Sequence, residues 1–161
     1  MSVGCGTMRR MTSWAEFAAA EADFARRVRE LLTTRKHLTM ATLRRDGSPR
    51  ISGTELEFAD GEVWLGMMPG SLKALDLRRD ARLAVHGPTV DPPEDSPGAW
   101  SGEAKLAGRA VEVSDPVRTD EPHRFRVDLR EVVLTRVAES NDLLVIETWH
   151  PDRGLERLLR R

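Results

Sequence analysis

Leu38-Thr39-Met40-Ala41-Thr42-Leu43 runs through Arg44-Arg45-Asp46-Gly47-Ser48-Pro49 into Arg50-Ile51-Ser52-Gly53-Thr54, and this stretch decides the fold. His37 to Leu43 mixes β-branched and apolar residues, which suits a pleated strand. Asp46-Gly47 is a strong hairpin signal, because a two-residue turn between antiparallel strands needs residues that tolerate positive φ. Arg50 to Phe58 is therefore expected as the returning strand. Asp60-Gly61 marks a second tight turn, and Glu62 to Met67 a third strand. Three antiparallel strands joined by two tight turns form a meander.

The pattern continues outward. Arg82 to His86 reads as a fourth strand, and Ala104 to Val113 as a fifth, broken by Gly108 and ended by Ser114-Asp115-Pro116. Glu131 to Val137 and Leu143 to Trp149 read as two more, around a turn at Ser140-Asn141-Asp142. A short helix is expected over Thr119 to Leu129, and residues 153–161 read as a basic tail with a terminal helical turn. On the N-terminal side, Ser13-Trp14-Ala15-Glu16 is a capping box. It opens an amphipathic helix, Ser13 to Thr33, with Trp14, Phe17, Phe24, Val28 and Leu31 on one face. Gly87 to Gly102, with Pro88, Pro92, Pro93 and Pro97, is a long loop able to act as a lid, an interface arm or a plain excursion. The fold class is mainly β with flanking helices, a barrel and not a parallel sheet.

Composition narrows the function. The chain has 161 residues, fitting one domain over residues 12–161 behind an unstructured leader of residues 1–11. Met8 or Met11 is an alternative start. The formal net charge is −1, and basic residues alternate with acidic ones, so no nucleic-acid footprint is expected. No apolar run approaches the roughly 20 residues of a membrane span, and no secretory signal follows Arg9 and Arg10. The expected location is cytoplasmic. Cys5 is the only cysteine, and His37, His86, His123 and His150 are scattered, so no metal site is expected.

Gly70-Ser71-Leu72-Lys73 carries the chemistry. It lies between a strand-like run ending at Gly66 and a helix-like run over residues 71–80. A flexible turn, a hydroxyl and an ammonium converge where a helix begins, and that is a setting for an anion. Lysine is scarce here: Lys36, Lys73 and Lys105 are the only ones. A plain strand-to-helix turn with Ser71 as N-cap is the competing reading of the same residues.

Taken in order, these segments resemble the pyridoxamine 5′-phosphate oxidase-like superfamily, the FMN-binding split β-barrel. The resemblance rests on the opening hairpin of residues 38–50, on Trp64-Leu65-Gly66, on Gly70 to Leu77, on Arg79-Asp80-Ala81-Arg82-Leu83-Ala84-Val85, and on Leu106-Ala107-Gly108-Arg109-Ala110. It implies that Arg50 and Lys73, with the Ser71 hydroxyl, grip a flavin phosphate. It further implies that Arg50, Ile51, Ser52, Gly53 and Thr54 run beside the ring, and that Leu65 and Gly66 lie beneath the ribityl chain. Gly53 and Gly66 lack the Cβ that would hold a flat ring away from the backbone. The chain departs from true pyridoxamine phosphate oxidases at Glu55 and Leu72, where that group has basic residues, so that oxidation is not expected. The cofactor implied is FMN, with the deazaflavin coenzyme F-420 as the alternative.

Such coenzymes carry the hard chemistry themselves, which fits a chain with no evident catalytic constellation. The expected function is an oxidoreductase passing hydride or electrons between the ring and a small conjugated substrate. The alternatives are a non-catalytic flavin or deazaflavin carrier and a haem- or tetrapyrrole-handling protein. The resemblance also implies a homodimer with cofactor grooves at its seam, which would cover exposed strand edges.

Overall fold

A computed structural model describes residues 10–113 and 120–161. Its starting unit is the expected hairpin: β1 (Leu38–Leu43) pairs antiparallel with β2 (Pro49–Thr54), Met40 opposite Ser52. Gly47 takes φ +83° in the turn, and the Asp46 carboxylate accepts the Ser48 N–H at 3.0 Å. At the second turn both Asp60 and Gly61 have positive φ, 52° and 75°, the combination a type I′ hairpin requires.

The meander does not form. β2 stops at Thr54, and β3 (Glu57–Ala59) is a separate strand that pairs with β4 (Glu62–Met67). Among the described residues the sheet has nine strands, seven of which run in the order β2-β1-β5-β6-β7-β4-β3, where β5 is Arg82–His86, β6 Glu103–Glu112 and β7 His123–Val137. Its two ends, β2 and β3, are thus consecutive in the chain yet unpaired with each other. The chain turns away at Glu55-Leu56, leaving a split between β2 and β4. The fold is a split antiparallel β-barrel with flanking helices.

β7 joins the two halves. It pairs with β6 along its length, with β4 at its start, and then with β8 (Leu144–His150) from Val132 onward. The short helix expected over Thr119 to Leu129 is instead the first part of this strand; Thr119 itself, like residues 1–9 of the expected leader and the turn at residues 114–116, lies outside the described residues. A register shift at Ala107/Gly108 puts an extra β7 residue opposite β6. Gly108 is required there, because a Cβ would stand 2.3 Å from the Asp128 carbonyl oxygen. The expected helical tail is also a strand, β9 (Gly154–Arg160), closing a hairpin with β8.

The single N-terminal helix is two. α1 (Trp14–Ala20) and α2 (Ala22–Leu32) meet at Glu21, whose φ −139° and ψ 67° are not helical. The capping box at Ser13 and Glu16 is present, and Ala15 N–H bonds the Gly61 carbonyl at 2.8 Å, tying α1 to the β3–β4 turn. Trp14 packs on Phe58 at 4.7 Å, and Phe17 on Trp149 at 4.6 Å. Phe17, Phe24, Val28 and Leu32 join Met40, Leu65, Val85, Leu106, Phe125 and Leu134 in one core. Full burial of each such side chain contributes about 1.5–3 kcal/mol. Residues 10–12 are held too: Thr12 N–H donates to the buried Asp128 at 2.8 Å. Among the described residues no helix is long and apolar enough to cross a membrane.

Candidate functional site

The split between β2 and β4 is a groove of 380 Å³. Gly53 and Thr54 of β2 form one wall, Gly66 and Met67 of β4 the other, and α3 (Leu72–Arg79) begins at its end with Ser71 and Lys73. His37, Glu55, Glu57 and Trp64 also line it. The open space follows from the chain itself: a Cβ added at Gly53 or at Gly66 would meet nothing within 4 Å.

Two buried polar atoms at this groove have no partner among the described residues, Thr54 Oγ1 and Ser71 Oγ. Ser71 is the N-cap of α3 by position, with extended backbone, but its side chain makes no cap hydrogen bond. The first-turn amides of any helix lack intrahelical acceptors, and a serine N-cap ordinarily takes one of them. Here the hydroxyl is withheld from that role. Buried hydroxyls are normally satisfied, so these two have hydrogen-bonding capacity left for a polar ligand.

Lys73 Nζ donates to the Gly53 carbonyl across the seam between α3 and β2 and has no carboxylate partner among the described residues. An ammonium has three donors, so this single bond leaves capacity for an anion. Arg50 lies on the same seam but is held differently. Its Nε donates to Asp76 Oδ2 at 2.6 Å, and the side chain is 17 % exposed. Asp76 is a hub that the sequence reading missed. It also accepts from the Thr42 hydroxyl at 2.9 Å and from Arg79 at 2.9 Å. Burial pushes the Asp76 carboxyl up, but hydrogen bonds from Arg50, Arg79 and Thr42 outweigh burial and hold it below its ordinary value. Two cations on this seam, Arg50 and Arg79, therefore share one carboxylate, while Lys73 is bonded to a backbone carbonyl.

Of the residues expected at the site, Gly53, Thr54, Gly66, Ser71 and Lys73 line one groove together. Arg50 stands behind it, clamped to Asp76. Ile51 is not among the lining residues; it shares the exposed face of β2 with Gly53 and is 75 % exposed, and Ser52 is half-buried on the face of Arg50 and Thr54. Leu65 is fully buried, its side chain in the core while Gly66 faces out. A second missed group is His123. It accepts the Gly70 N–H through Nε2 at 3.1 Å, and its Nδ1 stands 3.0 Å from Glu112. The signal for Asp76 was present as a charged residue between Ala74 and Leu77 on the buried helix face. His123 gave no such signal, because its strand was not recognised.

No protein-family model matches the sequence, and no curated protein matches it either. Solved structures do match. A protein related to general stress protein 26 (pyridoxinephosphate oxidase family) from Clostridium acetobutylicum aligns at TM-score 0.60 with 12 % identity, covering 82 % of this chain and 97 % of its own. A pyridoxamine 5′-phosphate oxidase-related, FMN-binding protein from Nostoc punctiforme aligns at 0.61 with 8 % identity, covering 88 % and 96 %. PhzG from Burkholderia lata, solved with tetrahydrophenazine-1-carboxylic acid, aligns at 0.58 with 16 % identity, covering 89 % and 88 %. The open sheet, the split between its ends and these alignments agree: the chain has the split-barrel fold of the pyridoxamine 5′-phosphate oxidase-like superfamily.

Proposed function

We propose that the groove between β2 and β4 binds FMN, or the deazaflavin coenzyme F-420, and that the protein is an oxidoreductase acting on a small conjugated substrate. The observation that carries this reading is the pair of unpartnered buried hydroxyls, Thr54 and Ser71, at a groove with a glycine in each wall and Lys73 at its end. The Nostoc punctiforme structure is of an FMN-binding protein, and the PhzG structure holds a tricyclic carboxylic acid; both share the fold, which supports a flat-ring ligand here.

Each residue has a task in this reading. Lys73 and the Ser71 hydroxyl hold the anionic tail at the start of α3, where the helix dipole adds to the attraction. Arg50 contributes charge from behind while Asp76 fixes its direction. The β2 segment Arg50-Ile51-Ser52-Gly53-Thr54 runs along the ring, with Gly53 admitting it and Thr54 offering a hydrogen bond to its edge. Leu65 and Gly66 support the chain between ring and phosphate. A bound coenzyme of this kind supplies the hydride chemistry, and the protein orients it and shields it from water. A second copy of the chain is the cover expected over the exposed Ile51, Met68 and Leu72, of which Met68 lines the groove.

The test is turnover. Purified protein with reduced FMN or reduced F-420 is offered a panel of enones, quinones and biliverdin. Oxidation of either coenzyme by at least one acceptor is expected. Tight binding without turnover across the panel would instead make the protein a carrier, and a Soret band on haemin titration would point to tetrapyrrole handling.

A further inference from the structure

The turn that opens α3 is held by a residue from another strand. Ser71 N–H donates to the Met68 carbonyl at 3.2 Å, with Pro69 second and Gly70 third in the turn, Gly70 at φ +67°. This is the type II pattern, in which the third residue needs positive φ. The Gly70 amide donates to Nε2 of His123, a side chain only 6 % exposed. For Nε2 to accept, the ring must be neutral with its proton on Nδ1, which then donates to Glu112 of β6 at 3.0 Å. Glu112 is itself gripped by Arg78 of α3 at 2.7 and 2.8 Å. Among the described residues, the charged groups around His123 are Glu112 from the strand beside it and, through Glu112, Arg78 from the helix. Arg124, next to it on β7, turns away over the Trp64 ring, while Phe125 stacks on the imidazole.

The bond falls on the one peptide that decides the shape of the turn. Rotating the peptide between the second and third residues by roughly half a turn converts type II into type I. Glycine at the third position allows both. We propose that His123 is a positioning residue for the anion-facing turn: neutral, it draws the Gly70 N–H inward and fixes the Pro69–Gly70 peptide; protonated at Nε2, it donates instead, and the peptide rotates to present the Pro69 carbonyl. Ser71 and Lys73 follow directly, so the control reaches the groove. This inference rests on the reading of that groove as an anion site, and its test separates the two.

Nuclear magnetic resonance of the cofactor-free, 15N-labelled protein between about pH 8 and 5 reads the turn directly. The Gly70 amide shift is expected to follow the titration of the His123 ring. His123→Gln keeps a side-chain acceptor without a titrating group, so it should leave the Gly70 amide near its wild-type high-pH position and flat with pH. His123→Phe should displace it at every pH. At high pH, FMN affinity should fall about fivefold or more in His123→Phe, the loss of about one hydrogen bond, and little in His123→Gln. A Gly70 amide indifferent to pH and to both substitutions overturns the inference. So does equal displacement by both with FMN affinity unchanged. If wild type binds neither coenzyme while Gly70 still tracks His123, the functional reading falls and the control of the turn stands.

Discussion

Asp76 shows how much one buried carboxylate organises at the residue scale. It ties β1 through Thr42, β2 through Arg50 and the last turn of α3 through Arg79. Removing one member of a buried charge network leaves its partners uncompensated. Asp76→Ala is therefore expected to destabilise the fold by about 3–5 kcal/mol, read by denaturant unfolding. The pH dependence follows from the lowered value. Because the folded carboxyl lies below the 3.8 of an unperturbed aspartate, its contribution is complete above that pH and is lost as pH falls through the lower folded value. The stability gap between wild type and Asp76→Ala should narrow on acidification; a gap constant down to the acid transition would contradict this account. The Lys73 ammonium, the Ser71 turn and the two glycines were legible in the sequence, because residue type alone limits what they can do. The roles of Asp76 and His123 were not, because they depend on Arg50 and Gly70, 26 and 53 residues away.

At the scale of elements, α3 and its cap make the sharpest contrast between stability and function. A serine N-cap replaced by alanine ordinarily costs about 1 kcal/mol. Ser71 makes no cap bond, so Ser71→Ala should change thermal stability much less than that while weakening coenzyme binding. A full capping penalty in thermal unfolding would show that the hydroxyl serves the helix after all. Gly53→Val extends the same logic: its side chain meets open space, so the strand tolerates it and the groove does not. The strands misread in the sequence share a cause. In β7, His123, Phe125, Val127 and Leu129 point inward, but beyond the bulge Val132 and Leu134 take over, so the two-residue period breaks in mid-strand. β9 has almost no buried side chain, and a strand without an apolar face reads as a tail. The α1–α2 break was hidden because Phe17 and Phe24, seven residues apart, reach the same core with or without it.

The whole molecule is an open barrel whose two ends are neighbours in sequence but not in the sheet. The split barrel was legible because tight turns and short alternating strands leave few other architectures; the split itself was not, because it depends on where the chain leaves β2. Ile51, Met68 and Leu72 are 75 %, 78 % and 61 % exposed, and Met68 lines the groove. Sedimentation at micromolar concentration is expected to give a dimer, and Ile51→Glu to shift it toward monomer. A wild-type chain that sediments as a monomer would remove the second copy from the proposal.

The central claim is that the groove at the start of α3 holds a flat-ring coenzyme by its anion. Fluorescence titration of wild type and Lys73→Ala with FMN and with F-420 tests it most directly. One coenzyme should bind once per chain, with affinity weakened by about 1.5–3 kcal/mol in the variant, the range for a hydrogen bond to a charged group. Binding of neither coenzyme, or equal affinity in both proteins, would contradict it.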